Sequence, residues 1–287
     1  MTKTLNILNL GAGVQSTALY LMSMRQDEPD HVPVFDYAIF ADTQEEPRAV
    51  YEHLEWLKSL GGPPIITATA GKLGDDLIAA RNTTGQPFQC IPAFVAGADA
   101  PNGGMRRRQC TKEYKIEVIE RTIRREILGL APGQRIPKGV MVDQHMGLSF
   151  DEPGRIIRTK GRYQAIRWAT PRFMLFDLEM SRRSCLRYLE DKVPHEVPKS
   201  ACVFCPFRDN ESWRWLRDND PEGWERACDV DEGMRVNDTG GSRGLDLRSY
   251  VHRSCVPLRE APIDTPESRG EQYLFGFAQE CEGMCGV

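Results

Sequence analysis

The residues able to do chemistry begin with Gly11, Ala12, Gly13, Val14, Gln15, Ser16 and Thr17, set between an apolar run and a helix expected over 18–25. The glycines let a ligand approach the backbone, and the N–H groups of Gly13 to Thr17 open the helix, which makes an anion site. Hydroxyls on Ser16 and Thr17 would add donors for phosphate oxygens. The plainer alternative is a helix capped by Ser16 after a glycine turn. Thiols form a second group: Cys202 and Cys205 in C-x2-C spacing, Cys281 and Cys285 in C-x3-C spacing, and Cys110 at a loop–helix junction. Close thiolate pairs suit a shared metal, either structural zinc or an iron–sulfur cluster, and spacing does not separate the two. A redox dithiol is the remaining option. The third group is charged or polar: Asp42 and Thr43 end an apolar run, Arg108 and Lys115 flank a helix start, and Glu152 and Arg155 follow another run.

These groups need elements to position them. Residues 5–43 read as strand, tight loop, helix and strand, the second strand running over 32–40. In a parallel sheet this brings two loops together at the carboxyl ends of neighbouring strands, where ligands of open α/β sheets bind. Val50, Leu54, Leu57 and Leu60 mark one face of a helix over 45–60, with Pro47 tolerated in its first turn. A short strand over 64–69 and a helix over 71–80 follow, and residues 83–104, rich in Gly and Pro, read as an irregular loop of the functional kind. Ile116, Ile119, Ile123 and Ile127 form the buried stripe of a helix over 114–128. A strand over 139–146 delivers Glu152 and Arg155. Helices are expected over 180–189, 211–216 and 220–231, and residues 237–250 read as a Gly-rich turn region. Trp213, Trp215 and Trp224 are expected in the core. So are the single cysteines Cys90, Cys185, Cys228 and Cys255. Arg106 and Arg107 read as a solvated turn, and His145 and His195 as structural or substrate contacts near the site.

A chain of 287 residues can hold one good core plus a smaller appendage. A net charge of −4 argues against a strongly basic nucleic-acid binder, although arginines 106–108 leave local contacts open. No apolar run approaches the roughly 18 residues of a membrane span. The opening residues lead straight into a strand rather than a secretory signal, so the expected location is cytoplasmic. Nine cysteines in a reducing compartment point to metal or redox use rather than disulfides.

The loop at 11–16 resembles the phosphate-binding loop of the PP-loop ATP pyrophosphatases, the adenine nucleotide alpha hydrolases, whose usual pattern is S-G-G-x-D-S. Gly13 and Ser16 fit that pattern, while Gln15 stands where the family has aspartate. The spacing differs from a Walker A loop, and no lysine precedes Ser16. Asp42, Thr43 and Gln44 stand at the family's D-T-G position. Arg108, Cys110, Thr111 and Lys115 are similar to a signature of the phosphoadenylylsulfate (PAPS) reductase-like branch. Gly147, Glu152 and Arg155 are in register with its G-x-R-x-x-E-S-x-R segment, with Ser149 and Pro153 replacing an arginine and a serine. Ser200, Cys202, Cys205 and Pro206 match its S-x-C-x-x-C-P block. The resemblance covers roughly residues 5–215.

The resemblance implies an α/β fold with a Rossmann-like, mostly parallel sheet of the adenine nucleotide alpha hydrolase kind. Residues 1–200 would be the nucleotide-binding domain, and 201–287 a small cysteine-containing cap closing over the active site. It implies ATP alpha–beta cleavage that adenylates an acceptor, followed in some relatives by sulfur transfer. Gly11, Ala12, Gly13, Gln15, Ser16, Thr17, Asp42, Thr43 and Arg108 would bind ATP and Mg²⁺. Asp42, Cys110, Lys115, Glu152 and Arg155 would serve the reaction. Cys202, Cys205, Cys281 and Cys285 would hold a 4Fe–4S cluster, with zinc as the alternative. Partners would be a nucleotide, a nucleic-acid or small-molecule acceptor and a sulfur donor, with no membrane. Alternatives are a PAPS-type reductase or sulfotransferase using adenylyl sulfate and a cysteine nucleophile, Cys281 or Cys285, and a non-enzymatic nucleotide-binding module of a nucleic-acid modification or defence complex.

Overall fold

The computed structural model describes residues 3–25, 32–81, 83–85, 91–98, 100–236 and 247–264. Its centre is a parallel sheet of β1 (Lys3–Leu10), β2 (Tyr37–Asp42) and β3 (Ile65–Thr69) on one side, with α1 (Val14–Met24), α2 (Arg48–Ser59) and α3 (Leu73–Ile78) following the three strands in turn. Two short strands, β4 (Phe94–Gly97) and β5 (Ala100–Met105), come next. One long helix then runs over residues 111–127, α-helical at α4 (Glu117–Thr122) and π-helical on both flanks. β6 (Val140–Met146), α5 (Pro153–Tyr163) and β7 (Ala169–Arg172) complete the sheet. α6 (Met174–Asp177), α7 (Arg182–Leu189), α8 (Asn210–Asn219), α9 (Pro221–Val236) and β8 (Arg248–Tyr250) end the described chain, with one 3₁₀ turn over Leu258–Glu260.

The parallel strands lie in the order β3–β2–β1–β6–β7, all pairs parallel. Chain order reverses between β1 and β6, which opens a crevice outside their carboxyl ends. Both faces of the sheet are covered, as parallel sheets require. Leu8, Leu10 and Phe40 pack with Leu19, Leu54, Leu57 and Leu189 on one face. Leu5, Ile7 and Ile39 point the other way, toward Ile116, Ile119, Ile123 and Ile156. This alternation along β1 is the two-residue period of a strand. A third cluster joins Leu73, Leu77, Ile91 and Tyr114 to Val203, Phe204, Trp213, Leu216 and Val230. The C-terminal helices are therefore packed onto the edge of the sheet unit through apolar contact.

Several expectations are corrected. The second strand begins at Tyr37, later than the apolar run. Residues 83–104 contain β4 and part of β5, which pair antiparallel with one another, and β4 pairs with β8 in a separate sheet. The glycines and proline of β5 hide it from strand propensity; it pairs with the preceding β4, which in turn pairs with distant β8. Residues 237–246 and Cys90 lie outside the described residues, but 248–250 form a strand rather than a turn. Arg107 is exposed as expected, but Arg106 is only part-exposed: its Nε donates to Ser249 Oγ at 2.7 Å, tying β5's end to β8. Trp215 is 42% exposed, unlike fully buried Trp213 two residues earlier on the same helix. Cys185 and Cys228 are buried as expected, and Cys255 only partly. Among the described residues no helix is long and apolar enough to cross a membrane.

Candidate functional site

Gly11, Ala12 and Gly13 link the end of β1 to the start of α1 beside the point where strand order reverses. The hydroxyl of Ser16 stays within this loop, accepting from Gly11 N–H at 3.2 Å and donating to Gly13 O at 3.3 Å. Thr17 is buried, and its hydroxyl lies 2.8 Å from His53 Nε2. His53 Nδ1 is in turn 2.8 Å from His195 Nε2, and Trp56 stacks on the His53 ring. Burial, and then the neighbouring His195, hold the His53 pKa down to about 3, so its ring is neutral. Both hydroxyls expected to meet phosphate have partners within the fold. What the loop offers a ligand is the N–H groups of the first turn of α1, which have no carbonyl within the helix to bond.

The loop after β6 closes the same crevice from the other side. Glu152 Oε2 accepts from Ser149 N–H at 3.1 Å, from Ser149 Oγ at 3.0 Å and from Gln15 Nε2 at 3.1 Å, and Glu152 Oε1 pairs with Arg155. Gln15 Nε2 also reaches Ser149 Oγ at 3.4 Å. This carboxylate fixes which way the Gln15 amide points, and leaves Gln15 Oε1 buried without a hydrogen-bond partner among the described residues. A buried acceptor of this kind calls for a donor from ligand or water.

On the far side of β1, residues Asp42 to Glu46 leave β2 and each takes a different partner. Asp42 Oδ1 accepts from Tyr51 OH at 2.9 Å and from Gln44 N–H at 2.7 Å. Burial, and then the Asp42 charge, push the Tyr51 phenol up, which keeps it a donor. Thr43 Oγ1 lies 3.1 Å from Cys202 Sγ. Gln44 Nε2 donates to Thr69 Oγ1 at 3.2 Å. Glu45 pairs with Arg226 of α9 at 2.6 Å and accepts from Gly74 N–H at 3.0 Å. Glu46 pairs with Lys115 at 3.2 Å, both side chains nearly inaccessible to solvent.

The thiol loop is anchored to this strand exit by Val203 N–H donating to Glu45 O at 2.7 Å. Cys110, Cys202 and Cys205 line one narrow crevice of about 20 Å³ with Thr43, Arg108 and Lys115. Arg208 donates to the carbonyls of Ala201 and Cys202. Its burial lowers the guanidinium pKa, opposed by Cys205, Glu46 and Cys202. Among the described residues no group of three or more His, Cys, Asp or Glu side chains is arranged to hold a metal ion. Cys281 and Cys285 lie outside the described residues.

No known family, curated protein or solved structure matches this chain.

Most of the residues singled out in the sequence reach one sheet edge. Gln15, Glu152 and Arg155 form one network, and Thr43, Arg108, Cys110, Lys115, Cys202 and Cys205 share the crevice. His195 meets the loop only through His53, and His145 is buried on β6 with its Nε2 3.1 Å from Asn6 Oδ1. Sequence reasoning missed Glu45, Glu46, His53 and Arg208. For the two glutamates a signal existed: a carboxylate pair directly after a strand's carboxyl end. His53 carried none, because it sits inside an amphipathic helix pattern.

Proposed function

We propose that this chain is an adenylating enzyme of the PP-loop ATP pyrophosphatase type, with a Rossmann-like sheet, nearest the PAPS reductase-like branch. One observation carries the reading. Two non-glycine residues at this edge, Ala12 with φ +56° and Gln44 with φ +59°, hold the left-handed backbone that favours glycine. Ala12 stands at one of the two glycine positions of the family's loop, and Gln44 at the glycine of its D-T-G segment. On this reading each turn holds a backbone path that glycine makes easy, although this chain has another residue at that position.

On this reading the loop and first turn of α1 grip the outer phosphates of ATP, with Gln15 Oε1 accepting from a ligand hydroxyl or bound water. Asp42 Oδ1 is held by Tyr51 and the Gln44 backbone, which leaves Oδ2 for ribose or Mg²⁺. An acceptor oxygen attacks the alpha phosphorus, a P–O bond forms, the alpha–beta bridging P–O bond breaks, and pyrophosphate leaves with its electron pair. A nucleophile, a sulfur in the thiolating case, then displaces AMP from the adenylated acceptor. The acceptor is a nucleic acid or small molecule. Helix-end N–H groups stabilise the charge developing on pyrophosphate. Lys115 and Arg155 are already neutralised by Glu46 and Glu152, so we assign them to holding the edge in shape. Cys202 and Cys205 would give two thiolates to an iron–sulfur cluster or zinc. No step is assigned to such a group, because the described residues do not complete its ligand set.

Calorimetry with ATP, AMP and adenylyl sulfate, each with Mg²⁺, tests the proposal alongside product analysis. ATP binding, with AMP and pyrophosphate and no ADP formed when acceptor is supplied, is expected. Gly13→Val should abolish binding by blocking the ligand's approach to the backbone. Tight adenylyl-sulfate binding without ATP binding would replace this function with a reductase or sulfotransferase. Binding of none of the three would leave a non-enzymatic module.

A further inference from the structure

Beside the loop lies a second, larger cavity of about 300 Å³ that none of the roles above uses. It opens between Val14 at the first turn of α1, the start of α2, helix α7, the 196–199 linker and helix α8. Its size is within the range of small-ligand sites, about 300–1,000 Å³. Two large apolar side chains on its wall, Leu186 and Trp215, remain 43% and 42% exposed. The core does not need Trp215, since Trp213 fills that place on α8. Both cations and carboxylates line it: Arg182 and Lys199, the latter also near Ser212 and Asp209, with Glu196 and Glu211. An exposed indole face, flanked by cations suited to phosphate and by carboxylates that accept from exocyclic amines, matches an unpaired nucleobase with its phosphate.

We propose that this cavity is the acceptor site and that it takes a nucleotide unit, the base stacked on Trp215 and the phosphate held by Arg182. The word acceptor rests on the adenylation reading, whereas the ligand's chemistry rests on the cavity alone. Free mononucleotide and single-stranded nucleic acid share that chemistry.

Labelled single-stranded DNA and RNA oligonucleotides are titrated by fluorescence anisotropy and the ribonucleoside monophosphates by calorimetry. Wild type, Trp215→Ala, Trp215→Phe and Arg182→Gln are compared, and ATP affinity is measured on each. Expected are a loss of about fivefold or more in Trp215→Ala and near-full retention in Trp215→Phe, which also reports on folding. Arg182→Gln should weaken binding and flatten its salt dependence. Tighter binding of strands than of monophosphates identifies a nucleic-acid acceptor, and the reverse a free nucleotide. The proposal is overturned if wild type binds neither class, or if Trp215→Ala binds as wild type does. It is also overturned if Trp215→Ala loses ATP in parallel with the oligonucleotide, which would make the cavity the base pocket of ATP itself. Absence of ATP binding by wild type removes the adenylation reading but leaves the oligonucleotide result to stand or fall separately.

Discussion

The β1 and β2 sides of the same sheet edge are built on opposite principles. On the β1 side the hydroxyls of the loop meet neutral groups, Ser16 its own turn and Thr17 the pair His53 and His195, and Gln15 meets Glu152 through a neutral amide. On the β2 side Glu45 and Glu46 reach Arg226 and Lys115, charges that come from remote parts of the chain. The difference teaches which side is supported by neutral contacts and which by ion pairs. A turn that must let an anion approach gains from neutral supports, which leave the helix N-terminus as the main field. A strand exit against which α9 packs gains from a partner such as Arg226, which is there only when α9 is in place. Charge removal should therefore break the β2 side, and acid the β1 side.

The largest effect is expected from Lys115→Met. Lys115 and Glu46 are both nearly inaccessible, so removing Lys115 strips a buried carboxylate of its ion-pair partner, at a cost of up to about 3–5 kcal/mol, reduced by the nearby charge of Arg208. Replacing both, as Lys115→Met with Glu46→Leu, should recover most of the loss, since a buried pair often does no better than apolar packing. Urea unfolding of the two single variants and the double variant reads this directly. Equal destabilisation in single and double variants would mean that the pair's charges are not what hold this exit.

That asymmetry also explains what could be read without a structure. The loop at 11–17 and the strand–loop–helix–strand order were legible because they are local: apolar periodicity, two glycines and a polar exit lie within a few tens of residues. The order of the strands and the approach of Cys202 to Thr43 were not legible, because crossovers set the first and a separation of 159 residues the second. Partners such as Arg226 for Glu45, and β8 for β4, were not legible, because nothing in a solvated-looking arginine or a short polar strand names its distant mate. The partners that Ser16 and Thr17 take inside the fold were not legible for a related reason. Residue type announces a hydroxyl, but only packing decides whether it is spent inside the fold.

A smaller effect, confined to the β1 side, follows from His53. Its pKa falls from an ordinary 6.5 to about 3 in the fold, chiefly by burial. The unfolded chain therefore takes up the proton first, so the stability that neutral His53 confers is complete above about pH 6.5 and drains away as the pH falls toward 3. His53→Gln keeps a donor and an acceptor for Thr17 and His195 but cannot titrate. Between pH 6 and pH 4 its stability should fall less steeply than wild type, by up to about 1.4 kcal/mol per pH unit, the weight of one proton. Buried His145, held down to about 4, contributes equally to both proteins and cancels in the difference. Chemical denaturation at stepped pH is the measurement, and parallel slopes would show that the histidine pair is not a neutral support.

The smallest effect is the most pointed test of how the two sides share a backbone. Ala12 and Gln44 both sit at left-handed φ, one on each side of the edge. An L-residue there costs about 1–2 kcal/mol relative to glycine in backbone strain. Glycine returns about 0.5–1 kcal/mol of that through greater freedom in the unfolded chain. Ala12 is fully buried in the core that includes Leu10 and Val14, so Ala12→Gly also forfeits a packed methyl. These contributions nearly cancel, and the expected change at Ala12 is within about 1 kcal/mol of zero. Ala12→Val adds a branched side chain at the same φ and should destabilise clearly. Gln44→Gly keeps the relief but loses the bond to Thr69, a part-exposed contact on the strand edge, and should be close to neutral as well. The informative readout is ligand affinity beside stability. If the two turns hold their shape to admit phosphate, both glycine variants should bind ATP at least as well as wild type, whereas Ala12→Val should not. A glycine variant that keeps its stability but loses the ligand would mean that the side chain, rather than the backbone path, is what that turn contributes.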